Sequence, residues 1–150
     1  MKYVNPRVLQ TWLLRLTGSV ELGAFVAVAM PRRWMEVGHA WLGLGEMPEG
    51  AIVNFIIRQA SFTYGLHGVL LWLLSWDVVR FYPLVVFTGI SYVVAAPVFL
   101  MVDMTSGMPW FWVVGDAGSC LCVGSVMLCL VWWEHKRRPP TVPNVTRTTA

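Results

Sequence analysis

Glu21, His67 and Asp116 stand inside stretches that are otherwise almost wholly apolar, and Tyr64 lies one helical turn before His67. A carboxylate, an imidazole, a second acid and a phenol can exchange protons or hold the polar end of a ligand. Placing an ionisable group at the centre of a membrane helix costs about 2.5–3.5 kcal/mol, so such residues mark candidate sites. At a rise of 1.5 Å per residue from the outer ends of their stretches, Glu21 and His67 lie about 13 Å down and Asp116 about 10 Å down. Pro97 falls at a similar depth in another stretch, where its ring frees the Val93 carbonyl as an acceptor. Glu21, Tyr64, His67 and Asp116 therefore form a candidate polar or ligand-binding layer, with Glu21 as carboxylate, His67 as relay and Asp116 as second acid. A satisfied hydrogen-bond network that only fixes helix geometry is the competing interpretation. Nearer the outer surface, Arg58 and Asp103 share a level and form a candidate rim ion pair. Arg15, about 12 Å from Arg7 by the same rise, is expected to snorkel to the inner surface.

Other chemistry finds little support. Cys120 and Cys122 are two residues apart, so on a helix their thiols point about 200° apart and cannot bridge. His39, His67 and His135 fall outside, within and inside the membrane, so no histidine cluster holds a metal. There is no phosphate-cradling loop and no nucleophile–base–acid spacing. No cofactor is expected, and the chain is expected to be non-enzymatic.

Composition dictates what must position these residues. The 150-residue chain is 57% hydrophobic and 13% charged, with a mean hydropathy of +0.61. Soluble domains carry about 25% charged residues, so this chain cannot cover a globule with polar surface. That excludes a soluble enzyme, a disordered protein and a nucleic-acid binder, despite the net charge of +3. The continuous apolar runs predict helices, because barrel strands alternate. The fold class expected is all-α: an integral membrane four-helix bundle with spans at about 8–30, 58–79, 83–103 and 109–133, the second beginning as early as Pro48. Together these make one transmembrane domain, residues 1–133.

Lys2, Arg7, Arg80, Lys136, Arg137 and Arg138 collect on one side of these spans, while Arg32 and Arg33 lie on the other. Basic loops mark the cytoplasmic side, so both termini are expected there, in a cell inner membrane. Ala27-Val28-Ala29 resembles a signal cleavage site, but Arg15 and Glu21 interrupt the stretch before it, which predicts a retained first span. That span is marginal alone: its Leu, Val and Phe residues return about 3–6 kcal/mol against about 5–7 for the two charges. Its charges must be paired, neutralised or turned inward.

Between the first two spans, Trp34, Val37, Gly38, Trp41 and Leu42 recur at helical spacing opposite Arg32, Arg33, Glu36, His39 and Glu46. This predicts an amphipathic helix over about 32–46, lying in the interface plane as a cap on the bundle or a lid over a site. Small residues mark expected packing seams: Thr17, Gly18, Ala24 in the first span, Ser61, Gly65, Gly68 in the second. In the fourth the seam is Gly115, Gly118, Ser119, Cys122, Ser125 and Cys129. Residues 134–150 are expected to be a disordered basic cytoplasmic tail. Its Asn144-Val145-Thr146 matches a glycosylation pattern that should be silent there.

The stretches HAWLGLGEMP (His39–Pro48), RQASFTYGLHGVLLWLLSWDVVRFYP (Arg58–Pro83) and GMPW (Gly107–Trp110) resemble small four-helix bacterial inner-membrane proteins of the DoxX-like grouping. The resemblance implies fold and location; some relatives are linked with quinone-dependent sulfur oxidation, but no motif here carries that activity over. A glutamate in the first span is also similar to the small multidrug-resistance transporters, where it binds proton and drug. Glu21 would match it, although the 18-residue segment Pro31–Pro48 departs from those terser chains. The functional expectation is an accessory or scaffold subunit of a homo-oligomer or larger membrane complex, its partners the lipid bilayer and other chains. The alternatives are a proton-coupled binder or transporter centred on Glu21, and a quinone-linked redox partner.

Overall fold

The computed structural model describes residues 5–137. Lys2, Arg138 and the remainder of the tail, Asn144-Val145-Thr146 included, lie outside the described residues. The chain is all-helical, with no strand among the described residues. Its helices are α1 (Pro6–Leu22), α2 (Phe25–Ala29), α3 (Arg32–Trp41), α4 (Ala51–Trp76), α5 (Tyr82–Thr105) and α6 (Trp110–Arg137). Three segments are long and apolar enough to cross a membrane: Pro6–Ala29, Tyr82–Thr105 and Trp110–Arg137. Helix α4 has the length, at 26 residues, but Gln59, Thr63 and His67 dilute its apolar character.

Local chemistry sets the boundaries. The Asn5 side chain accepts from the Arg7 amide and Pro6 occupies the first turn of α1, as suits a helix start. The expected continuous first span is broken at Gly23–Ala24, where the amides of Gly23 and Ala24 bond to Val20 and Glu21, three residues back. Such tightened turns satisfy carbonyls at a helix end. Helix α3 stops at Trp41, ahead of Gly43 and Gly45 with φ of 72° and 82°, rather than running to 46. Its Trp34, Val37 and Trp41 are exposed, Trp41 at 84%. Helix α6 continues to Arg137, so Glu134 belongs to the helix and not to the tail. It is 3% exposed and accepts from Arg7 Nε at 2.9 Å.

Two glycine crossings organise the packing. A β-carbon on Gly68 would lie 2.7 Å from the Gly18 carbonyl oxygen, and one on Gly124 would lie 2.8 Å from that of Gly89. The first joins α1 to α4 with backbones in contact, the second α5 to α6; membrane helices approach this closely only across small residues. The expected seam on α6 is displaced. Gly115 and Gly118 face open space, and Cys122, Ser125 and Cys129 are exposed. The buried face runs instead through Val113, Cys120, Gly124, Met127 and Val131. Small size permits close packing but does not compel it. Leu14, Leu71, Leu74, Val78, Val85, Met127 and Val131 form the apolar core, which occupies the end of the molecule holding the α4–α5 turn. Between that core and the opposite end, the helices part around a cavity.

Candidate functional site

Glu21 sits in the last turn of α1, directly before the break at Gly23. The C-terminal end of a helix carries partial negative charge, an unfavourable place for a carboxylate without donors. Two neighbouring helices supply them. His67 on α4 approaches with Nδ1 2.5 Å from Glu21 Oε2, and the Tyr92 hydroxyl on α5 donates to Glu21 Oε1. The His67 and Tyr92 rings meet at 5.8 Å between centroids, tilted by 59°. Where Nδ1–H donates to the carboxylate, a neutral imidazole has Nε2 as an acceptor and an imidazolium has it as a second donor.

These groups line a cavity of about 630 Å³, together with Tyr64 from α4 and Asp116 from α6. Thus Glu21, Tyr64, His67 and Asp116 border one space, with only Glu21 and His67 in direct contact. Leu16, Val20, Ala95 and Phe99 make much of the remaining wall, and neither lysine nor arginine lines it. Ser119 Oγ donates to the Asp116 backbone carbonyl at 2.9 Å and so does not engage the Asp116 carboxylate. Chemically, the arrangement is a chain of exchangeable protons, Tyr92–Glu21–His67, set into an apolar wall. Among the described residues no three metal-ligating side chains converge.

Sequence reasoning missed Tyr92, though the signal was present. Counted from Asp103, Tyr92 lies about 16 Å down α5, close to the height assigned to Glu21. The acceptor expected from Pro97 is not part of the site: α5 runs through Pro97, which is exposed. The Arg58–Asp103 rim pair also gives way. Arg58 Nη2 donates to the Met30 carbonyl at 3.1 Å and Nη1 to that of Val28. The reason lies in the broken first span, since the short α2 ends in orphan carbonyls beside α4 and a guanidinium satisfies them. Asp103 is buried, with Oδ2 unpartnered. Arg15 does reach toward the α4–α5 end of the molecule: its Nε donates to Ser75 Oγ at 3.3 Å in the last turn of α4, with the guanidinium 5.3 Å from the Trp72 ring centroid.

The Arg58 bonds carry a direct prediction. Arg58→Met should release the end of α2, at a cost of about 1–2 kcal/mol. Hydrogen exchange should accelerate in the amides of α2 and α3 and stay unchanged in the α5–α6 pair. Equal protection throughout would contradict the capping role.

Comparison with protein-family models, curated proteins and solved structures finds nothing that matches this chain. The functional reading therefore stands on the residues and their geometry.

Proposed function

We propose that this chain is a four-span bacterial inner-membrane protein that binds a small molecule in the cavity beside Glu21, His67 and Tyr92. Helices α1–α2, α4, α5 and α6 are its spans, and α3 lies in the outer interface with Trp34 and Trp41 toward the acyl chains. Arg7, Arg80, Lys136 and Arg137 gather at one end, which supports cytoplasmic termini. The likeness to the DoxX-like grouping belongs to this same reading of fold and location.

The cavity carries the choice of binder over passive scaffold. A network that served geometry alone would be packed around, because protein interiors leave few voids larger than a water. Here about 630 Å³ lies against the paired acid and imidazole, within the range of about 300–1,000 Å³ found for ligand pockets. Proton exchange through Tyr92–Glu21–His67 gives such a site a means of coupling binding to protonation.

Gentle solubilisation and native mass spectrometry test the reading. The wild-type chain should retain a non-protein small molecule, and Ala95→Trp, which fills the cavity, should lose it at least tenfold while still inserting. A stoichiometric protein partner with no small molecule would establish the scaffold instead. A retained quinone would favour the redox alternative.

A further inference from the structure

We infer that Arg15 anchors an anionic phospholipid of the cytoplasmic leaflet, its phosphate on the guanidinium and its acyl chains running toward the bilayer centre along the seam of α1 with α4. The site lies apart from the cavity. The inference rests on the membrane reading of the chain and not on the cavity as a binding site.

The charge comes first. Arg15 stands within the apolar segment Pro6–Ala29, where a cation is costly unless it is paired or reaches a polar surface. Ion pairs among the described residues join Arg7 to Glu134, Arg32 to Glu36 and His67 to Glu21, and none takes in Arg15. Asp77, just beyond the end of α4, is turned instead to the Arg80 amide at 2.9 Å. The described residues thus place a cation in a span and supply no anion for it.

Next, the donors are held in place but not used up. Ser75, buried at 2% exposure, donates to the Trp72 carbonyl at 2.6 Å and so presents a lone pair to Arg15 Nε. Trp72 lends its ring to the guanidinium and is itself fixed, its Nε1 donating to Ser19 Oγ at 3.2 Å. Nη1 and Nη2 of Arg15 make no hydrogen bond among the described residues. Their N–H groups form the planar fork that matches a phosphate. An arginine serving the fold alone would spend them on backbone carbonyls, as Arg58 does on those of Val28 and Met30.

Depth identifies the anion as a lipid. Ser75 lies in the last turn of α4, at the end where Arg7, Arg80, Lys136 and Arg137 gather, so the guanidinium reaches headgroup level from a deeper backbone. Trp12, one turn before Arg15, and Trp76, next to Ser75, are 63% and 71% exposed, as suits anchors at a membrane surface. Ser19 lies one turn deeper than Arg15 along α1, and its hydroxyl, which accepts from Trp72, still has its own proton to donate. In a glycerophospholipid the ester carbonyls lie deeper than the phosphate, so the donors along α1 follow the order of the acceptors along the lipid. The surrounding basic end favours a headgroup with net negative charge over a zwitterionic one.

The test places the full chain in nanodiscs of equal phosphatidylglycerol and phosphatidylcholine with matched acyl chains, and reads the retained lipid by native mass spectrometry. Phosphatidylglycerol should be retained about tenfold over phosphatidylcholine, and Arg15→Gln should abolish that preference. Arg15→Lys, which keeps the charge without the fork, should keep part of it. Ser19→Ala should lower retention about twofold, and Arg80→Gln, at the same basic end, should cost no more than that. Equal retention of the two lipids by the wild-type chain would overturn the inference, as would an Arg15→Gln chain that keeps the preference. An equal loss in Arg80→Gln would mean general attraction to the basic end, and displacement by inorganic phosphate would mean a free anion; either overturns it. Loss of the lipid in Ala95→Trp with Arg15→Gln unaffected would move it into the cavity and overturn the Arg15 site. If Arg15→Gln does not fold, the wild-type preference and Ser19→Ala decide. A chain that does not enter nanodiscs refutes the membrane reading itself, whereas one that enters without preferring phosphatidylglycerol refutes this inference alone.

Discussion

Gly68→Leu is expected to drive α1 and α4 apart and to abolish most of the folded population. A β-carbon at Gly68 would stand 2.7 Å from the Gly18 oxygen and 2.8 Å from the Leu22 nitrogen, both backbone atoms that cannot rotate away. Overpacking ordinarily costs about 1–3 kcal/mol. A whole isobutyl group against main chain should exceed the upper end, out of a total stability of about 5–15 kcal/mol. The loss should reach the site, because Gly68 adjoins His67 and separation of the helices breaks its bond to Glu21. Gly118→Leu is the matched control: a β-carbon there meets nothing within 4 Å. Thermal unfolding in detergent, followed by circular dichroism, should show a strongly lowered midpoint for the first variant and an unchanged one for the second. Equal midpoints would mean that the close crossing does not hold the pair together.

Glu21→Ala should be the most damaging single loss of a polar group, at about 1–3 kcal/mol. Hydrogen bonds between membrane helices average about 0.6 and reach about 1.7 kcal/mol, and Glu21 makes two, one to α4 and one to α5. Among the described residues it is the one side chain of α1 hydrogen-bonded to both. Loss of the carboxylate also leaves the Tyr92 hydroxyl and His67 Nδ1 without their acceptor in an apolar wall, which adds to the cost. Glu21→Gln keeps an acceptor for Tyr92 and should lose about half as much. The decisive measurement is a pair of double-mutant cycles, Glu21→Ala with His67→Ala and with Tyr92→Phe. Each should show a positive coupling energy of about 0.5 kcal/mol or more. Strict additivity in both would show that these contacts do not act together.

Height and direction differed in how well they could be read from the residues. The rise per residue is fixed, so the relative heights of Glu21, Tyr64, His67 and Asp116 could be counted from the sequence, and these four residues border one cavity. Direction around the helix is set by neighbours, and there the reading failed on α6. A run of glycine, serine and cysteine looked like a seam, yet Met127 and Val131 face inward. Tyr92 escaped notice because an aromatic residue in a span reads as apolar surface until its hydroxyl finds a partner. Arg58 was matched to Asp103 by charge, whereas it binds the carbonyls of a helix whose break at Gly23 is a matter of backbone bonding. Glu134 looked like part of a polar flank, and its bond to Arg7 spans 127 residues, beyond any local pattern.

The two glycine crossings also decide where the molecule can give. Main chain against main chain leaves nothing to slide within α1–α4 or within α5–α6, so each pair behaves as a stiff board. The boards meet along the strip between α1 and α6, filled by the flexible side chains of Leu14 and Met127 and pinned at one end by Arg7 and Glu134, and the Tyr92–Glu21 bond ties them again nearer the cavity. A guest wider than the resting cavity would be admitted by turning the boards about that strip, as covers turn on a spine. The far edge would then travel most while the acid at Glu21, close to the spine, barely shifts.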